Sequence, residues 1–247
     1  GVSVVTYASE RTVYYARGFA INNFQYDGIP MLRDSGYSAG NTLSDTSIYD
    51  RVEVLKGATG LLTGSGDPGA TINLVRKKPT REFRGQAGLG LGSWGRRRAE
   101  IDVSGPLAQD GRVRGRFVAA AEQGGTHVDF YEEKKRTLYG VAEVDLPDGS
   151  LLTAGLHYQS SNPRGSSGSG LPLFHSDGSP TDFGPHTNAG ARWNTNRIEA
   201  YNLFATLEKP LPEGWMLKLS ANHLRGKRSG SSADESWGCP DRDTGEG

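Results

Sequence analysis

Two segments of this 247-residue chain carry the spacing Gly-x-Gly-x-x-Gly: Gly64-Ser65-Gly66-Asp67-Pro68-Gly69 and Gly90-Leu91-Gly92-Ser93-Trp94-Gly95. In a dinucleotide site that spacing lets the backbone close on a pyrophosphate, and it works only between a strand and a helix whose N-terminus meets the phosphates. Here the first segment runs into the extended Ala70-Thr71-Ile72-Asn73-Leu74-Val75 and the second into Arg96-Arg97-Arg98 and a further strand pattern, so neither has its helix. The five histidines, His127, His157, His175, His186 and His223, show no i, i+4 pair and no cysteine set beside them, so the spacing does not support a protein-borne metal centre. No catalytic constellation is assigned and no enzyme is expected. The chemistry left is recognition. Arg17, in Arg17-Gly18-Phe19, stands first, because a guanidinium stays charged and its planar fork meets paired oxygen acceptors.

The most distinctive stretch runs from Tyr49 to Pro79, YDRVEVLKGATGLLTGSGDPGATINLVRKKP. Val52, Val54 and Leu55 read as a short strand, and Ile72, Leu74 and Val75 restart an extended run before Pro79. Gly57, Gly60, Gly64, Gly66 and Gly69 punctuate the loop between them. Only 35% of residues are hydrophobic and the formal net charge is zero, which argues against a polyanion-binding protein, so no nucleic-acid partner is expected. No run of about 18 apolar residues occurs, so no transmembrane helix is expected, a criterion blind to barrel strands. The N-terminal GVSVVTYASERTVYYARGF lacks the marks of a signal peptide, so the stretch is expected to begin inside an exported protein. The single Cys239, in the loop-like SADESWGCPDRDTGEG, is expected to find its partner beyond residue 247, with a free surface thiol as the alternative.

After Arg84 the period changes to two, in seven runs. Ala87, Leu89 and Leu91 alternate with Gln86, Gly88 and Gly90, and Ala99, Ile101 and Val103 with Glu100, Asp102 and Ser104. The same pattern sets Val113, Phe117 and Ala119 against Arg114, Arg116 and Glu122, and recurs around 138–146, 152–159, 201–208 and 215–222. Alternation alone fits a soluble sandwich as well as a membrane barrel. The connections discriminate: Gly105 to Gly111, Pro147 to Gly149 and Lys209 to Gly214 are short, whereas Gln123 to Arg136 and Ser160 to Asn196 read as long polar loops. Short and long connections taking turns, with arginines and carboxylates on the polar face, fit a barrel with a wet or plugged lumen.

The glycine-rich stretch, together with Arg17-Gly18-Phe19 and Tyr26-Asp27-Gly28-Ile29-Pro30, resembles the plug domain of TonB-dependent outer-membrane receptors. From Phe83 to about Leu224 the chain also resembles the first barrel strands of that family, in its ferripyoverdine and ferric-hydroxamate branch. The resemblance implies a mainly β chain. Residues 1–84 would be the later part of a small α+β plug with a mixed sheet, and 85–247 about seven antiparallel up-and-down strands of an incomplete transmembrane β-barrel. Such barrels close at roughly 22 strands. It further implies uptake of a ferric siderophore across the bacterial outer membrane, with iron bound only through the chelate and no cofactor. The partners would be the inner-membrane TonB complex, gripping a segment upstream of Gly1, and outer-membrane lipid or lipopolysaccharide. Haem, cobalamin or glycan uptake within the family, or a porin-like channel or adhesin, is the alternative, and a soluble β-rich carbohydrate-binding or enzymatic domain a further rival.

Carried over position by position, the resemblance sets Arg17 near the plug apex, donating to the chelating oxygens; the alternative is a polar bridge from plug to wall. Tyr26, Met31, Leu32, Arg33 and Tyr37 fall on or near the second apical loop, and Leu61, Leu62, Thr63 and Ser65 on the third. Thr63 departs from the aromatic that many relatives carry before the glycine standing here at Gly64. Trp193 matches a tryptophan at the end of the long external loop and would cover a ligand face; an interfacial-belt tryptophan is the alternative. Trp215 is expected in the belt. Arg76-Lys77-Lys78 would lie at the periplasmic rim, and Arg96-Arg97-Arg98 near lipopolysaccharide phosphates, with a solvated charged turn as the alternative. The run Gly165 to Gly170 is expected to be a flexible part of an external loop.

Overall fold

The computed structural model describes the chain except for residues 7–8, 10–11, 32–44, 58–68, 169, 234–238 and 245–247. The first sheet is the antiparallel set β1 (Ser3–Thr6), β2 (Thr12–Ala16) and β3 (Phe19–Ala20). The second contains β4 (Asn23–Tyr26), β5 (Ile29–Met31), β6 (Tyr49–Lys56) and β7 (Ala70–Arg76) in the order β5-β4-β7-β6, with β4 and β7 parallel. This is the mixed plug sheet. No α-helix occurs among the described residues, and one 3₁₀ turn spans Pro212–Gly214.

The third sheet is a seven-stranded antiparallel meander: β8 (Arg84–Leu91), β9 (Arg97–Pro106), β10 (Val113–Gly125), β11 (Glu132–Asp145), β12 (Leu151–Arg164), β13 (Thr195–Pro210) and β14 (Met216–Ser231). Each strand pairs with its chain neighbour, and β8 and β14 are open edges, so the wall is not closed. The seven period-two runs lie in these strands except for the end residues Leu146 and Trp215. The strands extend further toward the long-loop end than the polar composition indicated. Gln123 pairs with Lys134 and Gly125 with Glu132, so the connection read as Gln123 to Arg136 shrinks to residues 126–131. Likewise β12 runs to Arg164, and β13 restarts at Thr195. Polar side chains form ladders as readily as apolar ones once the strands rise past the apolar zone, and opposed charges such as Glu122 and Lys135 favour that register.

The faces of the wall are inverted relative to a soluble protein. Leu89 is 90% exposed, Leu203 55% and Leu219 54%, whereas Arg114, Glu143, His157 and Asn202 are buried on the inner face. A sandwich buries the face that this wall leaves bare, so the alternation left open by the sequence resolves to a membrane wall. From Trp215, just before β14, to Arg225 within it, at about 3.4 Å per residue and a tilt of about 40°, the chain climbs about 26 Å, close to the height of the apolar band of an outer-membrane barrel. The buried core lies between plug and wall. Phe24, Tyr26, Ile48, Tyr49, Ile72 and Leu74 of the plug meet Val118, Tyr139, Val141 and Phe204 of the inner wall.

Candidate functional site

Two tight hairpins shape the plug, and both place a non-glycine residue in the left-handed region ahead of a glycine. In the first, Arg17 (φ 55°) and Gly18 (φ 83°) connect Ala16 to its partner Phe19; in the second, Asp27 (φ 51°) and Gly28 (φ 83°) connect Tyr26 to Ile29. Two positive φ values in succession make a type I′ turn, whose twist suits the flanking strands and whose usual first residue is Asn, Asp or Gly. Asp27 conforms. Arg17 does not, and an exposed arginine held at a conformation costing about 1 kcal/mol or more is a local departure of the kind that clusters at binding sites.

Asp27 organises the seat of the plug. Its Oδ1 accepts the backbone N–H of Arg76 at 2.9 Å and its Oδ2 the Nε–H at 2.6 Å. The Arg76 side chain is 3% exposed, donates from Nη1 to Asn202 Oδ1 at 3.0 Å, and lies 3.5 Å from the centre of the Phe204 ring. Asn202 and Phe204 belong to β13, so one buried cation ties the end of β7 to the wall. Nearby, Lys77 reaches Asp102 at 2.8 Å, Arg116 holds the same carboxylate at 2.7 Å, and the Tyr139 hydroxyl donates to the Lys77 carbonyl at 2.7 Å. The basic run Arg76 to Lys78, expected at the periplasmic rim, therefore has two members committed to the plug–wall seam. Sequence reading missed the role of Arg76, whose partners lie 49 and 126 residues away.

A second tie lies on β9. Arg98 donates from Nη1 and Nη2 to Asp45 at 2.9 and 3.1 Å, and Gln159 reaches the Asp45 carbonyl. Burial alone would raise the Asp45 pKa, but hydrogen bonds from Arg98 and Ser47 outweigh it and hold the carboxyl below its ordinary value. Arg96 pairs with Glu122. The reading of Arg96 to Arg98 as one lipid-facing set is thus corrected: alternation turns Arg98 inward, Arg96 is paired, and Arg97 alone faces out.

Tyr26 and Met31, expected on or near an apical loop, are placed in the core instead. Tyr26 is 2% exposed, stacked at 6.3 Å on Tyr49 and edge-on at 5.4 Å to His157, because the pleat of β4 turns it toward the wall with Phe24. Met31 is 9% exposed at the end of β5. Leu32, Arg33, Tyr37, Leu61, Leu62, Thr63 and Ser65 lie outside the described residues. So does Gly36-Tyr37-Ser38-Ala39-Gly40, a Gly-x-Ser-x-Gly spacing. The hydrolase elbow belongs to a strand-to-helix turn on an α/β sheet, an architecture not seen among the described residues.

Trp193 is 59% exposed on a well-anchored segment. Its neighbour Asn194 is fully buried and donates to the carbonyls of Ser166 and Ala233, while Asn188 donates to those of Asp129 and Gly165. Ser166 and Ser167 are buried, and Ser167 N–H donates to Ser9 Oγ of the plug at 2.8 Å, so the first half of the run read as flexible is docked. Trp193 is therefore a bare aromatic on a rigid mount, the arrangement that binds a flat ligand at low entropic cost. The structure shows no direct contact between Trp193 and Arg17. Cys239 is exposed, and among the described residues no cluster of metal-binding side chains occurs.

Residues 1–71 match the TonB-dependent receptor plug domain family. The chain is 54% identical over 225 residues to the ferripyoverdine receptor of Pseudomonas aeruginosa PAO1, covering 90% of this chain and 28% of that protein. The chain belongs to the TonB-dependent outer-membrane receptors. It is also 41% identical to the ferric-pyoverdine 358 receptor of Pseudomonas putida, over 91% of this chain and 27% of that one. The solved pyoverdine outer-membrane receptor of P. aeruginosa PAO1 with pyoverdine bound superimposes with a TM-score of 0.93 at 50% identity, over 98% of this chain and 36% of that one. The alcaligin outer-membrane receptor of Bordetella pertussis superimposes with a TM-score of 0.72 at 32% identity, over 94% and 40%. The chain thus spans between a quarter and a third of the curated relatives' length. These relatives are receptors, not enzymes, and the seven-stranded sheet is outer-membrane barrel wall.

Proposed function

We propose that the receptor containing this chain takes up a ferric siderophore of the pyoverdine kind, with energy supplied through TonB. The observation that carries this reading is Arg17: an exposed guanidinium held in a left-handed turn position that glycine or asparagine would fill with less strain. The relatives named for ferric pyoverdine support the choice of ligand class. Trp193 supplies an aromatic face for the chromophore or an apolar face of the chelate. By the resemblance alone, Arg33, Tyr37, Leu62, Thr63 and Ser65 are the further candidate ligand residues. Iron enters as cargo inside its chelate, with no direct protein ligand and no resident cofactor.

The test is tryptophan-fluorescence quenching of the intact receptor in detergent against ferric pyoverdine, hydroxamate and catecholate siderophores. Arg17→Ala should weaken binding of one class by about tenfold or more, the loss of a charge-assisted pair. Arg17→Gly separates binding from folding, since it relieves the left-handed strain and should leave or raise thermal stability while binding falls equally. Binding of no ferric chelate, or full binding by both variants, would refute the proposal.

A further inference from the structure

The inner arginines of this wall and the outward cations of β9 and β11 are treated differently, whereas outward Arg197 of β13 is paired with Glu199. Arg98, Arg114 and Arg116 face the lumen, and each is paired with carboxylates. Arg97, Lys134 and Arg136 face outward and exposed, and among the described residues none has an ion pair. The nearest outward carboxylate on that strand, Glu132, is the residue next beyond Lys134 on this face and sits opposite Arg164.

Register places these cations along one boundary. Arg97 pairs with Gln123, and Gln123 with Lys134, in one cross-strand row. The row beneath runs Leu89, Ala99, Ala121, Arg136. The next runs Ile101, Ala119, Leu138, Tyr158, and Tyr158 is paired with Tyr201. The tyrosines mark the interface at the long-loop end, so the cations stand at headgroup height on that side of the apolar band. Within the lower two rows lies a groove of about 870 Å³, floored by Ala99, Ala119 and Ala121, rimmed by Leu89, Ile101 and Leu138, and headed by Arg136. Three alanines side by side on a lipid face leave a furrow where leucines would leave a ridge.

An occupant must put hydrocarbon into this furrow and anionic charge directly above it, on one molecule. Arg97 lies two strands, about 10 Å, from the Lys134 and Arg136 pair, so a headgroup with two separated anionic centres engages both. We propose that this face is a docking site for one molecule of bisphosphorylated lipid A, the membrane end of lipopolysaccharide, with an acyl chain over Ala99 and Ala121 and its two phosphates on Arg97 and on Lys134 and Arg136. The site is separate from the siderophore site and does not rest on that reading.

The test is native mass spectrometry of the intact, delipidated receptor titrated with bisphosphoryl lipid A, monophosphoryl lipid A and phosphatidylglycerol. Bisphosphoryl lipid A should bind saturably at one copy, with each of Arg97→Gln, Lys134→Gln and Arg136→Gln weakening it about fivefold. Arg136→Lys, which keeps the charge, should hold it within about twofold, and Ala121→Phe should weaken it with no change of charge. Lys209→Gln, at the short-turn boundary of the same outer face, should change nothing. Heat-modifiable gel mobility reports that each barrel is folded, and siderophore quenching should be unaltered throughout. Equal binding of the monophosphoryl form or of phosphatidylglycerol, or undiminished binding by Arg136→Gln or Ala121→Phe, would overturn the assignment.

Discussion

Replacing Asp27 by asparagine changes the plug–wall seam by little more than one charge and one acceptor. Both carboxylate oxygens are in use, on the Arg76 backbone N–H at 2.9 Å and on its Nε–H at 2.6 Å, so an amide must turn an NH₂ toward one of two donors. A hydrogen bond to a charged partner contributes about 1.5–3 kcal/mol, and breaking a fully buried ion pair costs about 3–5 kcal/mol. Asp27 is one-third exposed, at 32%, so water repays part of the loss. Asn202 and the face of Phe204 still hold the guanidinium. The expected cost to plug docking is about 2 kcal/mol, about thirtyfold in the local opening equilibrium. Hydrogen exchange on the intact receptor in detergent reads this directly, at the amides of Gly28 and Arg76. The double variant Asp27→Asn with Arg76→Met should recover most of the loss, because no buried cation is then left without its counter-charge. Unchanged exchange in Asp27→Asn, or faster exchange in the double variant than in the single, would refute the view that Arg76 is held by charge pairing.

Gly190→Ala tests the mount of Trp193. An added Cβ would stand 2.3 Å from the Ser166 carbonyl oxygen, so the loop must move; siderophore binding should fall several-fold while heat-modifiable mobility stays that of a folded barrel. Acidification tests the second tie. Because the folded pKa of Asp45 is lowered, its contribution is fully present above the ordinary carboxylate value of about 4 and is lost as pH falls through the lower folded value. Exchange at the Ser47 amide, which donates to Asp45 Oδ1 at 2.9 Å, should therefore show no loss of protection from pH 7 to about 4 once corrected for intrinsic rates, and should lose protection only below; Asp45→Asn should remove that transition.

The sequence by itself determined the class of the chain. A period of two is local, so the runs from Ala87 to Asn222 declare which residues share a face, and turns rich in Pro, Asp and Gly declare where the chain reverses. Arg17 was legible as a candidate recognition residue, but the left-handed turn that holds it was not. Which face met lipid, and what each charge met, waited for the tertiary structure. Arg96, Arg97 and Arg98 are identical in type, yet one pairs with Glu122 beside the turn, one faces out and one holds Asp45, because alternation assigns a side while the partners come from a neighbouring strand and from the plug. Arg76 read as one of three basic residues at a rim; its burial depends on Asn202, 126 positions away. Tyr26 belonged by resemblance to an apical loop, and the pleat of β4 turned it into the core. Ser166 and Ser167 have the composition of a mobile loop but are docked through Ser9 and Asn194, since hydrogen-bond partners supplied by distant strands outweigh local flexibility.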